Sequence, residues 1–164
     1  MNVPHGSQAH INSLDEYPIS KQILCHSGLL TPILRDRFGD IYVEEVEACE
    51  STDIYFRRSS IRQVSTGNPL VIAELKVRKV AVSEALLMDL RQTTLPFGQL
   101  LINNGVEVRL MKQRFFVELD EGGHSYLGRC HAIYQVVEGQ CRELVCEVKE
   151  RLLDESSLKR LQRL

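Results

Sequence analysis

Leu70-Val71-Ile72-Ala73-Glu74-Leu75-Lys76-Val77-Arg78 is the stretch whose pattern decides the fold. Ala73, Leu75 and Val77 alternate with Glu74, Lys76 and Arg78. That period of two suits an extended strand with one face in a core and the other in water. Immediately before it stands the turn cluster Ser65-Thr66-Gly67-Asn68-Pro69, and before that Ile54–Val64, rich in β-branched and aromatic residues. Strand, turn and strand in succession predict an antiparallel hairpin covering 54–64 and 70–80.

Working outward, the same grammar recurs on both sides. Toward the N-terminus, Ile41–Cys49 reads as another strand. Pro18–Leu24 and Leu29–Phe38 read as short helices, the second with Thr31 as N-cap, Pro32 at its first position and Gly39 as its stop. Residues 1–16 are polar and read as a flexible leader, which leaves 17–164 as a single domain. Toward the C-terminus, Ser83 caps a helix over Glu84–Gln92, and Gly98–Asn103 forms a further short one. Val106–Leu119, Ser125–Val137 and Cys141–Lys149 are strands separated by turns. Asp154–Leu164 carries leucines at helical spacing, which suits a docking helix and leaves an apolar stripe for contact within a homo-oligomer. Strands that meet through short turns, with helices grouped rather than alternating, predict an α+β fold: a mostly antiparallel sheet with helices packed on one face.

Composition excludes several function classes. The chain has 164 residues, 43% hydrophobic and 26% charged, enough for one buried core. With 20 basic against 22 acidic residues there is no general attraction for nucleic acid or anionic lipid, so neither is expected as a partner. No apolar run is long enough to span a bilayer and no secretory signal is visible, so a cytoplasmic protein is expected. The five cysteines are scattered, with no CxxC pair. They read as free, mostly buried thiols rather than zinc ligands or a disulfide framework. There is no GxGxxG and no GxxxxGK[ST], so a doubly wound nucleotide-binding fold is not expected.

Four local patterns then occur in a fixed order. Leu29-Leu30-Thr31 opens a helix, and Phe56-Arg57-Arg58 lies on the strand before the Gly67-Asn68-Pro69 turn. Leu95-Pro96-Phe97-Gly98-Gln99-Leu100-Leu101 follows the central helix, and Gly139 precedes Cys146-Glu147 on the last strand. Over about residues 23–150 this order resembles the chorismate pyruvate-lyase family, and more closely its short archaeal, mycobacterial and cyanobacterial-type branch. The resemblance implies a chorismate lyase-like fold and a lyase that removes pyruvate from chorismate to give 4-hydroxybenzoate without a cofactor.

It also implies roles. Arg58 matches the arginine that binds the ring carboxylate, and a planar guanidinium suits that task. The hairpin is one residue longer than usual in the family, so Arg57 competes with Arg58 for the role. Phe97 matches the aliphatic residue whose backbone contacts substrate, and Leu30 a residue whose main chain touches the ligand. Glu147 matches the glutamate facing the ring 4-hydroxyl. A carboxylate in the apolar run Leu144–Val148 is costly unless it is paired or faces a ligand. Arg129, with His131 on the same strand face, is placed to meet the second carboxylate of the substrate. Each residue also has an ordinary reading: Arg57, Arg58 and Arg62 as a solvated strand face, Glu143, Glu147 and Glu150 as an edge set, Leu30 and His131 as core, and His124 as turn surface. The alternative from another class is a non-catalytic domain of the same fold that binds or senses an aromatic acid.

Overall fold

The computed structural model describes residues 8–10, 14–26, 28–92 and 94–162. Its elements in chain order are β1 (Gln8–His10), α1 (Pro18–Leu24), α2 (Leu30–Phe38), β2 (Ile41–Glu50), β3 (Ile54–Gln63) and β4 (Pro69–Arg78). After a 3-10 turn at Lys79–Ala81 come α3 (Glu84–Gln92), α4 (Phe97–Asn103), β5 (Val108–Leu119), β6 (Ser125–Val137), β7 (Gln140–Leu152) and α5 (Glu155–Leu161). The strands form one seven-stranded sheet in the order β1-β5-β6-β7-β4-β3-β2, and every neighbouring pair is antiparallel. The sheet is therefore two three-stranded meanders, β2-β3-β4 and β5-β6-β7, joined edge to edge through β4 and β7, with β1 added at the free edge of β5.

The α+β class with a mostly antiparallel sheet is what the alternation in 70–78 implied. The β3–β4 hairpin closes over the Gly67 turn, where Gly67 takes a φ of 72° and its N–H donates to the Gln63 carbonyl. At the β6–β7 turn Glu138 and Gly139 both have positive φ, 53° and 78°. That is the two-residue geometry whose twist matches a hairpin.

Helices cover one face of the sheet. Ile23 and Leu24 of α1, Leu34 and Phe38 of α2 and Leu158 of α5 pack on Ile61, Val71, Leu127 and Leu152. Leu86 and Leu90 of α3 and Leu100 and Leu101 of α4 pack on Leu75, Val77, Ile133 and Val148. The α4–α2 contact depends on Gly98, because a Cβ there would stand 2.9 Å from Thr31 Oγ1.

Several boundaries differ from expectation, each for a local reason. α2 begins at Leu30, two residues before the expected first position Pro32, with Leu29 as a cap that lends no side-chain bond; Thr31 lies inside the helix and is buried. Gly39 ends α2 as expected, its N–H donating to the Arg35 carbonyl. Part of the segment read as a leader, Gln8–His10, adds a strand to the edge of β5, and the remainder of it up to residue 13 lies outside the described residues. Strand β7 runs on to Leu152, three residues past the expected Lys149. α5 ends at Leu161, and Asp154 caps it through the Ser157 N–H. The cysteines are free, but Cys25, Cys49 and Cys141 are exposed and only Cys146 is buried. They lie at a helix end, on the sheet's edge strand and beside a hairpin turn, where no second layer covers them. Among the described residues no helix is long and apolar enough to cross a membrane.

Candidate functional site

Sheet register determines which polar side chains meet beneath the helices. Ser59, Ala73, Glu150 and Arg129 stand in one row across β3, β4, β7 and β6. Arg57, Leu75, Val148 and His131 stand in the next row. Both rows face the helical layer. In their middle the small Ala73 and Ser59 leave a void that the helices do not fill. Leu29-Leu30-Thr31 and Pro96-Phe97-Gly98 roof it, bringing together the start of α2 and the start of α4. The cavity gives about 50 Å³ to the centres of water-sized spheres. Each water needs roughly 10–15 Å³ by that measure, so the space holds several.

Arg57 is the anomaly of this cavity. It is 2% exposed, and among the described residues no carboxylate lies within 4 Å of it. Among the described residues its sole hydrogen bond is a long one, 3.4 Å from Nη1 to the Leu90 carbonyl, and its Nε has no partner. Two residues along, the buried Ser59 hydroxyl also lacks a partner. Burial pulls the Arg57 guanidinium below its ordinary pKa, and the Tyr55 and Glu45 side chains oppose that only partly. A buried charge left this way is costly until an anion reaches it.

At the other end the charges are already matched. Arg129, fully buried, donates from Nε to Glu150 Oε1 at 2.9 Å. Its remaining nitrogens donate to the carbonyls of Leu24, His26 and Gly28 at 3.3 Å each, which ties these three residues to β6. Gln113 Nε2 ties the His26 carbonyl from β5 at 2.9 Å. That reach comes from a bulge, since β5 slips by a residue against β6 between Met111 and Arg114. His131 Nδ1 lies 3.3 Å from Glu150 Oε1 without hydrogen-bond geometry. Burial first, then the charge of Arg129, holds the His131 imidazole neutral, its pKa pulled down to about 3. Burial raises the Glu150 carboxyl, and Arg129 pulls it back in part.

The expected site residues divide accordingly. Leu30 and Phe97 line the cavity. Arg129 lines it too, but Glu150 and three carbonyls occupy its donors, so it braces the site instead of offering a free cation. Arg58 and Glu147 are corrections. Both lie on the opposite face of the sheet: Arg58 is half-exposed beside Glu74 at 3.8 Å, and Glu147 is exposed. Successive strand residues point to opposite faces, so a register wrong by one residue moves a side chain from cavity to solvent. The competing Arg57 takes the inward place, and on β7 the inward carboxylate is Glu150. A signal for Glu150 existed: Cys146, Val148, Glu150 and Leu152 keep a period of two, visible once the strand is allowed past Lys149. His124 lies at the exposed 120–124 turn, 3.4 Å from Asp120.

Among the described residues no three His, Cys, Asp or Glu side chains gather where a metal would sit. No protein-family model matches the chain, and no curated protein matches it.

Proposed function

We propose that this cavity binds the carboxylate of a small cyclic acid and that the chain is a chorismate pyruvate-lyase, with Arg57 and Glu150 in the roles the resemblance assigns to an arginine and a glutamate. The observation that supports this most is Arg57 itself, a buried guanidinium with an unpartnered Nε, lining the same cavity as the unpartnered Ser59 hydroxyl. A planar carboxylate would complete both donors at once.

In this reading Arg57 and Ser59 hold the ring carboxylate, and the Phe97 backbone at the start of α4 assists. Glu150, at the far end of the void, takes the ring 4-hydroxyl. The reaction breaks the C3–oxygen bond and removes the proton on C4, leaving an aromatic ring. The departing enolpyruvate gains a proton on its methylene carbon and becomes pyruvate. Aromatisation supplies the driving force, so positioning and proton transfer suffice. Positioning a reactant contributes roughly up to 10 kcal/mol in favourable cases, and general acid–base help on the order of 10²–10⁴ in rate. In this reading Glu150, with Arg129 as its counter-ion, makes that transfer.

The small volume of the cavity favours a second reading, a binding module that takes an aromatic acid and performs no chemistry. Mixing the protein with chorismate and assaying pyruvate with a coupled dehydrogenase separates them. Release of pyruvate, lost in Arg57→Ala, supports the lyase. Saturable 4-hydroxybenzoate binding without pyruvate supports the module, and neither result with wild-type protein sinks both.

A further inference from the structure

We propose a second ligand site on the opposite, helix-free face of the sheet, a trough that takes a phosphoryl group. Its floor is β6, whose outward residues Cys130 and Ala132 are small. One wall is β5, with Lys112 and Arg114; the other is β7 and β4, with Lys149 and Lys76. The space is about 320 Å³ by the same measure as the inner cavity, several times larger.

Register brings these cations together. Arg114 lies opposite Cys130, and Cys130 opposite Lys149, so the two walls stand two strands apart, about 10 Å. Lys76 lies opposite Glu147, diagonal to Lys149. Long side chains on walls at that spacing reach a common ligand over the small floor residues. Four cations against Glu74 and Glu147 leave the trough with a surplus of two positive charges (4 − 2). The chain as a whole carries −2, so the surplus is local.

Two further observations mark the trough as more than a solvated strand face. Among the described residues Lys76, Lys112, Arg114 and Glu147 form no ion pair, while Glu74 is shared with Arg58 outside the trough, 3.8 Å away. Lys149 Nζ lies over the Phe116 ring, 5.2 Å from its centroid, while Lys76, Lys112 and Arg114 line the open volume without an ion pair, although cross-strand acids stand in register. Lys112 also sits at the β5 bulge with a φ of 58°, a backbone region that side-chain-bearing residues seldom adopt. The bulge sends Gln113 inward to the His26 carbonyl and leaves Lys112 on the trough side. Ammonium and guanidinium groups that line one bounded trough from two walls suit a small multiply charged anion better than a long polyanion, which needs a stripe.

The test uses the full chain, isotope-labelled for NMR, at low ionic strength. Inorganic pyrophosphate and glycerol 3-phosphate are titrated separately, distinguishing a free phosphate from a phosphate ester. Saturable shifts at Lys112, Cys130, Ala132 and Lys149 with either probe support the site. The double variant K112E/R114E should weaken binding at least tenfold while leaving 4-hydroxybenzoate binding unchanged. E147Q, which removes an acid from the wall, should tighten it severalfold, a gain that misfolding does not produce. Shifts confined to the Arg57 cavity, an unchanged affinity in both variants, or tighter binding of a ten-nucleotide single strand than of either probe would overturn the proposal.

Discussion

Replacing Arg57 with methionine should make the empty protein more stable and the ligand-binding protein worse. Methionine has a similar reach and carries no charge. Removing a buried cation that lacks a counter-ion relieves a penalty of several kcal/mol after relaxation. Against that stands the loss of one long bond to the Leu90 carbonyl at 3.4 Å, about 1 kcal/mol. The net gain is about 2 kcal/mol. For a domain of this size each kcal/mol moves the melting temperature by roughly 2–4 °C, so R57M should melt about 4–8 °C higher. The same change deletes charge-assisted hydrogen bonds to a bound carboxylate, about 3 kcal/mol together, or roughly a hundredfold in affinity. Scanning calorimetry of the ligand-free protein and titration calorimetry with 4-hydroxybenzoate read the two effects independently. A lower melting temperature with unchanged affinity would refute the reasoning, because Arg57 would then be a brace for Leu90 and not an anion receptor.

Three further outcomes follow from the same geometry. Arg58→Ala and Glu147→Ala, on the exposed face, should each change stability by less than about 0.5 kcal/mol and leave 4-hydroxybenzoate affinity within twofold; a tenfold loss in either would restore the outward residues to the site. Gly98→Ala drives a Cβ to 2.9 Å from Thr31 Oγ1 and should cost about 1–3 kcal/mol in urea denaturation, with Gly98→Ala in a Thr31→Ala background recovering much of it. His131 should shape the acid limb of stability. Its folded pKa of about 3 lies below its ordinary 6.5, so the unfolded chain binds the proton first and stability rises as pH climbs between those values. The slope approaches 1.4 kcal/mol per pH unit and is flat above 6.5. Glu150, whose carboxyl is raised, opposes it in sign, and Arg129 and His26 are the charges that face the imidazole. His131→Asn should flatten this limb in denaturation curves taken from pH 4 to 7, and superimposable curves for the two proteins would contradict the assignment.

What the chain's own residues determined is the part of the structure governed by near neighbours. The alternation in Leu70–Arg78 follows from the two-residue pleat, the Gly67 and Gly139 turns from positive φ, and the end of α2 from Gly39; each is set within a few residues. The identity of the inward cation and carboxylate was not legible in that way. Arg57 and Arg58 are adjacent and chemically equal, and β3 carries apolar residues on both faces. The choice between them came from pairing Arg57 with Leu75 and Leu75 with Val148. Glu150 rather than Glu147 faces the cavity because β7 runs beside β4, where Glu150 pairs with Ala73, 77 positions earlier in the chain. Only the assembled sheet, with helices committed to one side, turns that register into an inside and an outside.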